Sequence, residues 1–169
     1  MATGTQRGDP VFVTNHVLSG VVIGQLLARR PVAAFAVGVA SHLALDAVPH
    51  WDCDTYTPEG SARFLRAARV DGLVGLGTMA LGAACVSRGS RLATMAAMVG
   101  AVVLDIDKPA KHFFDLEPFP RFVNRVHGMI QKESPDGFVR EMAWGIAFVG
   151  MDVTAVTLRR ILERSRPMR

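Results

Sequence analysis

The chain predicts an all-helical fold: an integral membrane bundle of about five helices plus an interfacial amphipathic helix, in one domain covering residues 1–169. Three observations carry that prediction. Half of the residues are apolar and only 20% are charged, against about 25% in soluble domains. The apolar residues collect in helix-length runs that are apolar nearly all round, which calls for full burial or lipid. Arginines concentrate between alternate runs, as they do on the cytoplasmic side of membranes. A soluble helical bundle is the plainer alternative.

The first run is Val11 to Ala28. The residues before it, Met1 to Pro10, carry one base, Arg7, offset by Asp9. No small-residue cleavage site clearly follows, so the run is expected to stay as a helix and not to be removed as a signal. The second run is Pro31 to Val48. Proline suits a first helical turn, and Pro49 disfavours helical geometry at Val48, so the helix should end there. The third run is Val70 to Val86, the fourth Leu92 to Ile106 and the fifth Met142 to Leu158. A spanning helix takes about 20 residues. The fourth run is short, and the others reach that length only marginally. Glycines scattered through these runs predict close helix packing.

Between the fourth and fifth runs, Phe119, Phe122, Val123, Val126, Met129 and Ile130 recur at helical spacing. Arg121, Asn124, Arg125 and Gln131 take the opposite face. This predicts an amphipathic helix, either lying in the interface or packed on the rest of the domain. Arg29 and Arg30 separate runs one and two, Arg88 and Arg91 separate three and four, and Arg159, Arg160, Arg164, Arg166 and Arg169 follow five. If all five runs span, these regions share one side, and the rule for arginine-rich loops makes that side cytoplasmic together with the C-terminus. Trp51 and Tyr56 fit an aromatic belt at the other face.

The chemistry collects at that other face. His42 and Asp46 are four residues apart, so they share one side of a helix about 6 Å apart along its axis. His50 follows Pro49, where the helix should stop, and is free to turn back to the same ion, bind a second, or act as an acid or base. His16 opens the first run, Asp71 the third, and Asp105 and Asp107 close the fourth. His127 sits on the amphipathic helix. Although chain direction alternates, all of these land at one level. Asp46, Asp105 and Asp107 stand near helix C-termini, where a carboxylate is unfavourable by roughly 0.3–1 kcal/mol; a divalent cation reverses that sign. The predicted metal ligands are His16, His42, Asp46, His50, Asp71, Asp105 and Asp107, holding one or two ions. Imidazole with carboxylate suits Zn first, then Mn or Fe, ahead of Ca or Mg. His50 and His127 are the candidate catalytic acids or bases.

Each residue also has a plainer reading. On that reading His16 caps or anchors a helix, His42 with Asp46 is a hydrogen-bonded core pair, Asp71 is a helix N-terminal charge and Asp107 is a turn residue. Asp152 lies mid-run, away from the cluster, and is expected to bond a neighbouring helix. Arg63, Arg66 and Arg69, spaced by three, meet lipid headgroups or hold a phosphate. Cys53 and Cys85 are isolated and give no disulfide framework. There is no nucleotide-binding glycine loop and no GxSxG motif. No basic face interleaved with aromatics is present, which argues against a nucleic-acid partner.

At Asn15-His16, at Ser41-His42-x-x-Leu45-Asp46-x-x-Pro49-His50 and at Leu104-Asp105-Ile106-Asp107-Lys108-Pro109, the chain resembles the bacterial inner-membrane metal-dependent hydrolase family. Leu104 and Lys108 stand where that family has the proline and histidine of a Pro-Asp-Ile-Asp-His element. His127 falls in the region of its Arg-Gly-x-Thr-His stretch, with only the histidine shared. The pattern is also distantly similar to zinc-dependent phospholipase C. The resemblance implies a metal-dependent hydrolase in the bacterial cytoplasmic membrane. A lipid or phosphoester substrate fits a site at headgroup level. The rival expectation is a non-catalytic metal-binding or metal-transport membrane protein; a third is a scaffold whose polar groups pair with one another.

Overall fold

The computed structural model describes residues 12–51, 58–134 and 137–164. They form seven α-helices, a short 3-10 turn and two two-residue strands, so the all-helical class holds. Helices α1 (Val13–Leu26) and α2 (Pro31–Asp46) make an antiparallel hairpin, with Pro31 at the start of α2 and Arg29 turning the chain at φ 68°. Helix α3 (Pro58–Cys85) runs into α4 (Arg88–Val102), and the 3-10 turn Val103–Ile106 passes directly into α5 (Asp107–Phe114). Asp115 ends α5 at φ 53°, a conformation that Asp tolerates. Lys111 bonds its carboxylate at 2.7 Å, which holds that group below the ordinary carboxylate range. Helices α6 (Arg121–Ile130) and α7 (Gly137–Arg164) complete the chain. Strand β1 (His50–Trp51) pairs in parallel with β2 (Glu133–Ser134), His50 opposite Glu133.

Helix α4 is the centre, packed on both α1 and α2. Backbones meet there with no side chain between them. A Cβ on Gly20 would stand 2.6 Å from Met98 Cα, and one on Gly24 would overlap Thr94 Cα. Between α2 and α4, Gly38 faces the Ala97 carbonyl and Gly100 the Phe35 carbonyl just as closely. Four of the scattered glycines therefore let helices approach to backbone contact, as expected, while Gly72, Gly77 and Gly150 have nothing within 4 Å.

The distribution of polarity is inverted. Among the described residues, twelve polar or charged side chains are buried against eight hydrophobic ones. Large apolar side chains face out instead, Leu26, Leu73, Val139 and Ile146 each at least 70% exposed. Water favours the reverse order, and contiguous exposed apolar surface marks a membrane or a partner.

Among the described residues, two stretches are long and apolar enough to cross a membrane: Arg88–Lys111 and Gly137–Leu158. The expectation of five spanning segments is thus met by two. Helices α1 and α2, at 14 and 16 residues, fall short of a full span. Helix α3 has 28 residues, but charges dilute its first half. Helix α5, continuing α4 through the 3-10 turn, is an element the sequence reading does not contain.

Gly89 lies 3.8 Å from Arg29 Nε, measured from where its Cβ would be, so the α1–α2 and α3–α4 arginine loops share one end, as expected. The opposite end gathers the start of α1, the end of α2, the 3-10 turn, α6 and the strand pair. There Trp51 stacks on Phe12 and meets Phe138 edge-on, at 5.9 and 5.8 Å between centroids. Helix α6 is where the periodicity puts it, with Phe122 and Met129 facing away from the bundle. Tyr56, Cys53, the side chains of His50, Arg63, Arg159, Arg160 and Arg164, and Arg166 and Arg169 lie outside the described residues.

Candidate metal centre

Four elements bring their ends together. His16 comes from the first turn of α1, His42 and Asp46 from the last turns of α2, Asp105 from the 3-10 turn and His127 from α6. His16, His42 and Asp46 are fully buried, and Asp105 and His127 nearly so. Asp46 is the hub. Its Oδ1 is 3.4 Å from His16 Nε2, and its Oδ2 is 3.3 Å from His42 Nε2 and 2.8 Å from His127 Nε2. Asp105 Oδ2 lies 3.8 Å from His42 Nδ1 and 4.0 Å from His16 Nε2. Donors each about 2.0–2.2 Å from one ion stand roughly 3 to 3.5 Å from one another, and the contacts around Asp46 fall in or just below that range.

The pattern of hydrogen bonds around Asp46 is one that a shared cation completes. His42 Nδ1–H donates to the Ala101 carbonyl at 2.8 Å, so a metal-binding, neutral ring carries its lone pair on Nε2. That lone pair faces Asp46 Oδ2 and, at 2.9 Å, His127 Nε2. One N–H on His127 cannot serve both acceptors. His16 has neither ring nitrogen hydrogen-bonded, although the residue is fully buried, and Asp46 Oδ1 and Asp105 Oδ2 are likewise without hydrogen-bond partners. Buried polar groups are almost always satisfied, so three such atoms that face one another, His16 Nε2, Asp46 Oδ1 and Asp105 Oδ2, fit a shared positive ion. Two donor triplets lie within 4.8 Å: His16, His42 and Asp46, and His42, Asp105 and His127. They share His42, and this geometry accommodates one ion or a close pair.

The surroundings hold the donors in place. Ser19 Oγ donates to the His16 carbonyl at 2.8 Å and meets Ser41 Oγ at 3.1 Å, tying α1 to α2. The Lys132 N–H donates to the Asp46 carbonyl at 3.0 Å and fixes the chain leaving α6 to the end of α2. Lys108 Nζ donates to Asp105 Oδ1 at 3.0 Å, leaving Oδ2 turned toward His16 and His42.

The predicted ligands His16, His42, Asp46 and Asp105 are brought together. His127, expected as an acid or base, stands in the donor set itself. Asp71 is not brought in. Its carboxylate accepts the Thr14 hydroxyl at 2.6 Å and the Thr14 N–H at 3.3 Å, so it staples α3 to α1. Asp107 is half-buried, outside both triplets, with Oδ1 unsatisfied. The side chain of His50 lies outside the described residues; its backbone is in β1. Asp152 accepts from Gln25 Nε2 at 3.0 Å across α1 and α7, as its mid-run position predicts.

One buried acidic group near this end carries no motif in the sequence. Glu141, buried in the first turns of α7, accepts from Asn15 Nδ2. The signal was Asn15 itself, a polar residue beside His16 with no cap to form: Thr14 and Asn15 lie inside α1. No protein-family model, no curated protein and no solved structure matches the chain, so the centre stands on its own geometry.

Proposed function

We propose that the protein is a membrane-bound, metal-dependent hydrolase whose His/Asp centre works at one membrane face on a lipid or phosphoester. The observation that carries this reading is the set of orphaned, fully buried atoms on His16, Asp46 and Asp105. The inverted polarity and the two span-length helices support the membrane setting.

His16, His42, Asp46, Asp105 and His127 would hold the ion or ions. A divalent ion bound there supplies a water acidified toward neutral pH and a Lewis acid for the scissile group. The protein's own part is orientation. Asp46 reaches three histidines, and the Ala101 carbonyl fixes the His42 ring. Burial keeps bulk water from the donors. Zinc suits this donor set first, with Mn or Fe next. A scaffold of self-paired polar groups fits less well, because His16 Nε2, Asp46 Oδ1 and Asp105 Oδ2 make no hydrogen bond although they face one another. Transport through Asp152 also fits poorly, since Gln25 already engages that carboxylate.

The test is elemental analysis of detergent-purified protein beside a His42→Ala/Asp46→Ala double variant, together with turnover of phosphoesters and phospholipids. The reading expects stoichiometric metal only in the unaltered protein, and turnover that Asp46→Asn abolishes. Equal metal in both proteins removes the ligand assignment; bound metal without any turnover leaves a binding protein.

A further inference from the structure

Helices α3 and α7 each pack on α1, and between them runs an apolar groove of about 810 Å³, within the size range of ligand sites. On α7 the wall residues Phe138, Met142, Gly145 and Val149 follow steps of four, three and four, which is one helix face. On α3 the wall is Arg66, Val70 and Val74, in steps of four. From Phe138 to Val149 a helix rises about 16 Å, roughly half of a 30 Å hydrocarbon core, or the depth of one leaflet.

Only one end of the groove is polar, and it is the end nearest the metal centre. Arg66 lines that end, as do two acids already engaged by α1, Asp71 by Thr14 and Glu141 by Asn15. Asn15 and Glu141 also line a second, much smaller cavity that contains His16. The Asn15–Glu141 pair therefore has the groove on one side and the small cavity lined by His16 on the other. Gly145 makes room for it: a Cβ there would stand 2.9 Å from Asn15 Oδ1.

We propose that this groove holds one hydrocarbon chain of a membrane lipid whose phosphate headgroup meets Arg66, with the Asn15–Glu141 pair as the partition between chain and metal centre. This rests on the membrane-hydrolase reading for its purpose, while occupancy of the groove requires no turnover. The length matches one leaflet, the walls are apolar, and the cation lies at the end where a headgroup would sit. Guanidinium matches phosphate geometry bidentately.

The experiment uses the full chain in vesicles of phosphatidylethanolamine and phosphatidylglycerol doped with a phospholipid carrying a diazirine in its acyl chain. After illumination, labelled positions are mapped by mass spectrometry. Label at Val74 and Val149 should exceed that at Leu81 and Val153, which are at least as exposed but lie outside the groove, by about tenfold. Val149→Trp or Ile146→Trp should remove that excess, and Leu81→Trp should keep it. Arg66→Gln should reduce labelling by the phospholipid more than by a diacylglycerol bearing the same probe. Even labelling around the whole apolar surface overturns the proposal. The His42→Ala/Asp46→Ala variant separates the two readings: groove label retained with no turnover in any variant keeps the lipid site and discards hydrolysis.

Discussion

His42 Nε2 and His127 Nε2 stand 2.9 Å apart although 85 residues separate them, and His42 Nδ1–H is already committed to the Ala101 carbonyl. The two nitrogens therefore compete for one proton or share one cation. Sharing a cation predicts that His127→Ala lowers metal affinity as severely as His42→Ala. Groups that only orient a ligand cost 10–100-fold in affinity when removed, so loss of either ring should cost more than about 100-fold. Competition titration with a chromophoric chelator checks this. Unchanged affinity in His127→Ala would return that residue to an acid or base role.

Stability should depend on the ion. Without it, Asp46 and Asp105 are buried carboxylates with unpaired oxygens. A ligand at 100 times its dissociation constant stabilises by about 2.7 kcal/mol. Chelation of the purified protein should therefore lower the thermal midpoint by several degrees, and zinc should restore it. A midpoint indifferent to chelator means that no ion occupies the centre.

The ligand set was only partly legible in the sequence. His42 and Asp46 could be read because helix geometry ties residues four apart. His16 and Asp105 could be read because alternating chain direction places run starts and ends at one level. His127 could be read as a candidate at the same face, but not its place beside Asp46, which depends on α6 folding back across the end of α2 and on the Lys132 amide bonding Asp46. Asp71 satisfied the same level rule, and lost its ligand role to a hydroxyl one residue outside the motif, Thr14. Five helical runs were legible from composition. Their number as spans was not, because α1 and α2, at 14 and 16 residues, are shorter than the apolar runs that predict them.

Glycine substitutions should sort by backbone contact. At Gly24 and Gly38 an added Cβ meets the backbone of α4, which cannot move aside without separating the helices. Overpacking of this kind costs about 1–3 kcal/mol, sometimes more. Gly24→Val should reach or exceed the top of that range, while Gly72→Ala and Gly150→Ala, with nothing within 4 Å, should be neutral or slightly stabilising. Thermal unfolding of the three variants in one detergent decides the ranking. A neutral Gly24→Val contradicts the close α1–α4 approach.

The buried pairs between α1 and α7 should behave differently from the ligands. Gln25 Nε2 donates to Asp152 Oδ1 at 3.0 Å, well along α7 from the metal-centre end. Asp152→Asn keeps an acceptor oxygen for Gln25, so metal content and turnover should change less than about twofold. Gln25→Leu leaves the partly buried carboxylate without its donor, at a cost of about 1–3 kcal/mol. Stability should fall and metal content should hold. If Asp152→Asn instead lost metal flux in loaded vesicles while the centre stayed occupied, the carboxylate would belong to a conduction path, and the transport reading would replace hydrolysis.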